Sequence, residues 1–340
     1  MKKIVLFFVA ICSGLVANAQ TSDDQSKGFF KHLDASLTMG TTGLGVDLAT
    51  PMGDYAQLRA GFSFMPNFHY KMTFEVQVGD NPKTSESKFN KLSGYLKDIT
   101  GYDVDNKIDM IGVPTYYNFN LLVDVFPFKN NKHWHLTAGF YWGNSKIGKS
   151  YNTTEDMPSL MAVSIYNTMY DKVKAGEPVY GAIYLPDNME KAILGYGRMG
   201  IALGTYTHDV YGSIPTTVYD EDGEPHESSE YGMIHHVGDP YMMVPNEDGM
   251  VKAKATANAF KPYVGFGYGG RLFKGNDKYK VSFDCGLLFW GGTPSIFTHD
   301  GTDLAKDVEN IKWQVGDYVK FIKAFKAFPV LNVRFTRSIF

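Results

Sequence analysis

Val330-Leu331-Asn332-Val333-Arg334-Phe335-Thr336-Arg337-Ser338-Ile339-Phe340 closes the sequence. Leu331, Val333, Phe335 and Ile339 fall on one side of a two-residue repeat, and Asn332, Arg334, Thr336 and Ser338 on the other. A two-residue period is that of a strand. Bulky apolar groups on one face and charge with small polar groups on the other describe a wall whose two sides meet different media. A sheet that closes on itself needs its last strand to pair with its first, and then has no free edge. One detail departs from the pattern. Phe340 falls on the polar phase and Arg337 on the apolar one, which predicts either a bulge near the end or an Arg337 that reaches along the wall to water.

The other end carries Lys2 and Lys3, an apolar run from Ile4 to Ile11, and Ala17-Asn18-Ala19. A basic start, a short apolar stretch and a small-x-small motif make an export signal, with cleavage expected between Ala19 and Gln20. Residues 1–19 are thus expected to be removed. That leaves Cys285 as the single cysteine and no intramolecular disulfide. Beyond the signal no run approaches the roughly 18 apolar residues of a membrane helix. Aromatic residues nevertheless make up 15% of the chain, and glycines number 35. The formal net charge of −3 gives no argument for nucleic acid as a partner.

Further alternating segments fill the chain. Leu33, Ala35, Leu37 and Met39 oppose Asp34, Ser36 and Thr38; after Gly40-Thr41-Thr42-Gly43, Leu44, Val46 and Leu48 oppose Asp47. Ala56 to Phe64, Tyr117 to Val125, Trp134 to Trp142, Pro262 to Leu272 and Val281 to Phe289 repeat the theme, with aromatic groups on the apolar side. Short turns at Pro51-Met52-Gly53-Asp54, Lys129 to Lys132 and Lys274 to Asp277 alternate with long connections. That is the rhythm of an outer-membrane barrel, with short periplasmic turns and long external loops. The expected fold is all-β: a transmembrane antiparallel barrel of eight strands in one domain, 20–340. A ten-strand alternative would take Tyr196–Tyr206 and Val251–Phe260 into the wall; the eight-strand count makes them a hairpin above the membrane.

The external insertions are expected at 70–110, 147–258 and 293–326. Leu92, Leu96 and Ile99 predict one helix, and Met157 to Lys174 a second behind Pro158. Val315, Val319, Ile322 and Phe325 predict a third, packed on the rim or lying at the membrane surface.

The inward phase carries Asp34, Asp47, Arg59, Asp124, Arg271, Lys280, Asp284 and Arg334, together with Lys261. Unpaired buried charge is costly, so opposite charges at one height should pair across a narrow barrel. An eight-stranded barrel has room only for side chains or one small ligand. The lumen is therefore expected to be a polar plug. Gly265-x-Gly267-x-x-Gly270 spells a dinucleotide motif, but no helix follows and its glycines sit on a strand's inner face. No cofactor is expected. His226, His235, His236 and Asp239 share a polar loop whose spacing fits no defined metal motif. His69, His208, Asp209 and His299 lie near the expected rim, and the apolar wall carries no His–Ser pair, so no enzyme activity is expected.

Gly40 to Gly45, Leu48 to Pro51, Arg59 to Phe64, Phe260 to Gly267, Asp284-Cys285-Gly286 with Phe289-Trp290-Gly291, and Phe328 to Asn332 with Ile339-Phe340 resemble the small outer-membrane β-barrel proteins of Bacteroidota. The resemblance runs along the whole mature chain. It implies a surface-exposed barrel in the outer membrane and supplies no catalytic residues. The stretch 147–250 is longer than that family's usual loop. Phe335, Ile339 and Phe340 would serve as the assembly signal read by the barrel-assembly machinery. The remaining expected partners are outer-membrane lipid and lipopolysaccharide, and an extracellular ligand or protein at the loops. The alternatives are a narrow conduit for small or apolar solutes, and a hydrolase at the rim.

Overall fold

The computed structural model describes residues 32–128, 131–219, 225–324 and 326–339. The expected signal segment 1–19, Phe325, Phe340, and Lys129 and Asn130 of the expected short turn lie outside them.

Eight strands close into one antiparallel barrel. In order around the wall they are β1 (Asp34–Gly40), β2 (Gly43–Pro51), β3 (Ala56–Phe64), β6 (Tyr117–Val125), β7 (Trp134–Gly143), β14 (Phe260–Phe273), β15 (Asn276–Phe289) and β18 (Ala327–Ser338). Closure is made by β1 on β18, from Asp34↔Ser338 to Gly40↔Asn332. The apolar phase faces outward: Leu37, Leu136, Trp142, Phe283 and Leu331 are each more than half exposed. Exposed apolar residues on seven of the eight strands, with half-buried ones on β3, are the signature of a wall built for lipid. Trp134 and Tyr268, 4.9 Å apart at the short-turn end, and Trp142 with Phe260 at the other, form its two aromatic borders.

The end of the wall resolves the conflict of phase in the last strand. β18 pairs with β1 and β15 without a bulge, so Arg337 stays on the outer face. Its guanidinium lies 5.9 Å from the centroid of the Tyr279 ring, a cation–π contact at the border of the apolar band.

The insertions do not fold as separate loops. They build one eight-stranded sheet. Its strands are β4 (Tyr70–Val78), β5 (Lys107–Pro114), β8 (Lys146–Asn152), β9 (Met199–Tyr206), β12 (Pro240–Met243), β13 (Lys252–Thr256), β16 (Ser295–Thr298) and β17 (Val308–Glu309). The order is β12–β9–β4–β5–β8–β13–β16, with β17 on β9. The segments 196–206 and 251–260, expected to form a hairpin, do not pair with each other. β9 lies between β12 and β4, and β13 lies between β8 and β16. β10 (Val210–Tyr219) and β11 (Pro225–His235) form a separate two-stranded ribbon.

The sheet is the barrel wall carried upward. The wall strands β15, β14, β7, β6 and β3 are topped, in the same order, by β16, β13, β8, β5 and β4. The ladder continues through the junction, with Gly143 N to Ala259 O at 3.1 Å, Ala257 N to Ser145 O at 2.9 Å and Thr115 N to Ile147 O at 3.0 Å. β1 and β2 stop short at the Gly40–Gly43 turn, where Gly43 takes φ of 91°, a conformation glycine adopts without strain.

Helices α1 (Pro82–Thr100), α2 (Met157–Ala175), α3 (Asp187–Tyr196) and α4 (Trp313–Ala324) accompany this sheet. Asn81 caps α1 through Lys83 N, and α1 ends at Gly101 in the left-handed region. Phe89, Leu92 and Leu96 of α1, Leu160, Val163 and Tyr166 of α2, and Val319 of α4 share one apolar core with Phe74, Val76, Ile108, Met110, Met199 and Ile201 of the sheet. α4 therefore belongs to this core and not to the membrane surface. The covered face of β5, Ile108 and Met110, continues the phase of the lumen residues Asn118 and Asn120 on β6. The helices thus stand on the lumen side of the rising sheet, above the barrel mouth.

Candidate functional site

Inside the barrel two arginines and two aspartates form a closed ring. Arg59 Nη2 lies 3.1 Å from Asp124 Oδ1, and Arg59 Nη1 lies 3.5 Å from Asp284 Oδ2. Arg334 Nη1 lies 3.3 Å from Asp124 Oδ2, and Arg334 Nε lies 3.2 Å from Asp284 Oδ2. All four side chains are at most 8% exposed. Arg59 and Asp124 stand on the neighbouring strands β3 and β6; Asp284 and Arg334 stand on β15 and β18. In the wall β2 and β1 separate the two pairs on one side, and β7 and β14 on the other. The ring therefore spans the lumen along a diameter, and its formal charges cancel.

Local sequence makes room for it. A Cβ on Gly267 would stand 2.4 Å from His135 and 2.5 Å from Asp284 Oδ1, so the glycine of the apparent nucleotide motif exists to admit these side chains. Two hydroxyls and an imidazole add to the bonding of the ring. Thr137 Oγ1 donates to Asp124 at 2.7 Å, and Ser282 Oγ accepts from Arg334 Nε at 3.0 Å. His135 Nε2 lies 2.8 Å from Asp284 Oδ1.

Asp47 sits beside the ring, accepting from Thr38 at 2.6 Å and from Asn120 at 3.0 Å. A cavity of about 10 Å³, lined among others by Thr38, Asp47, Arg59, Asn120 and Tyr141, lies beside it. About 10–15 Å³ of such volume holds one water molecule. Toward the end that carries the rising sheet the lumen changes character. Leu122, Tyr141, Tyr263, Leu288 and Val330 form a buried apolar layer, with the two tyrosine rings 5.5 Å apart, edge to face. Lys261, fully buried, donates to Asn118 at 3.1 Å and to Ala259 O at 3.3 Å. The barrel is thus filled twice, by an ionic layer and by an apolar one.

Of the candidates read from sequence, Arg59, Asp124, Asp284 and Arg334 come together in the ring, with Asp47 adjoining. Asp34 and Lys280 meet apart from it, 3.5 Å from each other near the short-turn end. Arg271 does not enter the lumen. Its pairing partner on β15 is Lys280, its side chain is 62% exposed, and it bridges to Asp277 within the same hairpin. The reason is length: β14 and β15 run on past Tyr268, where pairing with β7 ends, so the inward phase there faces no opposite wall. Sequence reasoning passed over His135, although its alternation with Thr137 marked it as inward. Phe335 lies on the exposed face and Ile339 N donates to Leu33 O at 2.8 Å.

The histidines near the rim are dispersed. His208 pairs with Asp307 and His236 with Asp209, each at 3.9 Å, while His299 Nδ1 accepts from Lys252 N at 3.4 Å. Among the described residues, no three His, Cys, Asp or Glu side chains gather as metal ligands would.

No protein-family model matches the chain, and no curated protein matches it. Solved structures that overlap it include CarO2 of Acinetobacter baumannii, at 13% identity and a TM-score of 0.34, covering 90% of this chain and 98% of that one. CarO of the same organism overlaps at 12% identity and 0.34, covering 90% and 96%. A major outer membrane protein of Thermus thermophilus overlaps at 9% identity and 0.26, covering 90% and 98%. The functional reading accordingly rests on this chain's own geometry.

Proposed function

We propose that this chain is an integral, non-enzymatic barrel of the outer membrane that does not conduct solutes, and that it works through the folded unit above its mouth. Residues 1–19 serve as the export signal, cleaved before Gln20. The mature chain sits with its short turns in the periplasm. The stretches 70–110, 147–258 and 293–326 then stand outside the cell and offer a surface to an extracellular ligand or protein.

The observation that carries this reading is the neutral ring across the lumen. A conduit lined by charge needs free charge and water along its axis. Here each carboxylate of the ring is shared by two arginines, and the space beside them holds about one water. The exposed apolar wall supplies the membrane.

Swelling of liposomes tests the reading. Vesicles carrying the intact protein should not swell in isotonic arabinose beyond protein-free vesicles. Sustained swelling that scales with protein content would instead establish the conduit.

A further inference from the structure

The rising sheet has a second face, the one opposite the helices. Cross-strand partners share a face, so register defines it. Lys254 on β13 is directly opposite Lys149 on β8, and on its other side opposite Phe297 on β16. Lys252 is opposite Tyr151, and Tyr151 is opposite Ile111. Lys149, Lys252 and Lys254 are exposed.

This face continues the outside of the barrel. Phe260 and Trp142 form an outward pair at the rim, and Thr256↔Lys146 keeps their phase. The register shift between Ala255 and Thr256 then inserts one residue into β8, so that Lys149 joins Lys254 on the same side. β5 agrees in phase, since Val113, opposite Lys149, is in step with the outward Tyr117, although Val113 itself is covered. At about 3.3 Å per residue and a tilt of about 40°, the lysines stand roughly 15 Å above the aromatic border.

Two like charges directly opposite on adjacent strands repel. Lys149 and Lys254 keep this arrangement, and among the described residues neither is in an ion pair. Lys71, on the same face, contrasts with them: it is neutralised by Asp109 at 2.6 Å. Each of the two is instead held over a ring, Lys149 Nζ 5.4 Å from the Tyr151 centroid and Lys254 Nζ 5.6 Å from that of Phe297. The result is a pair of positioned cations with an unmet need for negative charge, on aromatic ground, just above the lipid wall.

We propose that this face, centred on Lys149 and Lys254, binds the phosphate- and carboxylate-bearing sugar core of the lipopolysaccharide surrounding the barrel. Charge complementarity and continuity with the lipid-facing wall single out this occupant. The proposal rests on the membrane reading above. Bound there, the glycolipid core would brace the rising sheet against the leaflet and fix the unit over the mouth.

The test uses the full mature chain refolded into phosphatidylcholine vesicles, with labelled rough-type lipopolysaccharide as probe. Flotation and heat-modifiable gel mobility report insertion and folding. The Lys149→Gln/Lys254→Gln variant should bind the probe at least about tenfold more weakly, with a shallower salt dependence. Lys149→Arg/Lys254→Arg should keep wild-type binding, as should Lys83→Gln/Lys91→Gln on the exposed side of α1. Binding by the glutamine variant within about twofold of wild type overturns the proposal. So does equal binding of lipopolysaccharide stripped of phosphate and with its carboxylates esterified, or equal affinity for a soluble anionic polysaccharide. A wild-type chain that fails to float with the vesicles overturns the membrane reading itself and this proposal with it. That result is distinct from an inserted protein indifferent to the probe.

Discussion

Replacing Arg334 by alanine should be among the most damaging single changes in the barrel. Arg334 touches both carboxylates of the ring, at 3.3 Å and 3.2 Å. Asp124 is fully buried and Asp284 is 5% exposed, so neither can recover its lost partner from bulk water. Without Arg334, two buried carboxylates share one guanidinium and the layer carries a net negative charge. Breaking a buried pair from one side costs about 3–5 kcal/mol. Urea unfolding of the micelle-refolded protein, followed by tryptophan fluorescence, measures this. Adding Asp284→Ala to Arg334→Ala restores neutrality through Arg59 and Asp124. The double variant should then be more stable than the sum of the single losses by about 1.5 kcal/mol or more. A loss below about 1 kcal/mol for Arg334→Ala, the range of an exposed pair, together with simple additivity, would refute the reasoning.

Other consequences are as direct. Gly267→Ala forces a Cβ against His135 and Asp284, and should cost about 1–3 kcal/mol in the same urea assay; a neutral result would mean that the ring has slack. Leu160→Ala empties a fully buried position in the core of the external unit, at a cost of about 2–5 kcal/mol. It should expose residues 147–258 to trypsin while heat-modifiable mobility of the barrel stays intact, and joint loss of both would show one cooperative unit. Asp303 is buried, which alone would raise its pKa. Hydrogen bonds from the Ser295 hydroxyl and from the Ile296 and Ala305 amides, and the nearby Lys306, outweigh burial and hold it below the usual carboxylate value. A lowered carboxylate stabilises the fold above its unfolded value of about 3.9 and loses that contribution as pH falls through the folded value. Protection of the 295–308 segment from pepsin should therefore decline at the acid end, and Asp303→Asn should flatten the dependence.

The barrel was legible because each wall strand carries its own two-residue pattern, and because glycines and short turns mark where pairs reverse. The ring was partly legible too: Arg59, Asp124, Asp284 and Arg334 share phase, and opposite charge across a narrow lumen must be met. His135 escaped because a balance drawn only between carboxylates and the lysine and arginine side chains leaves histidine out. Arg271 misled because phase says which side a residue faces but not whether a wall still stands opposite, whereas Lys280, one pair across, does meet Asp34. The external sheet was least legible. Its strands are short, several are four to eight residues, and β4, β9 and β13 find partners in other insertions. Nothing local in Tyr196–Tyr206 distinguishes a hairpin from an inner strand; its buried face is decided by α1 and α2, which come from two different insertions.

The central claim is that the ionic ring and the apolar layer above it close the barrel. Single-channel recording in planar bilayers tests it most directly, on the intact protein and on a chain lacking residues 147–250. Silence in both is predicted, because the closure lies within the wall and not in the unit above it. Discrete, steady conductance in the intact protein would contradict the account and place an open path past Asp124 and Arg334.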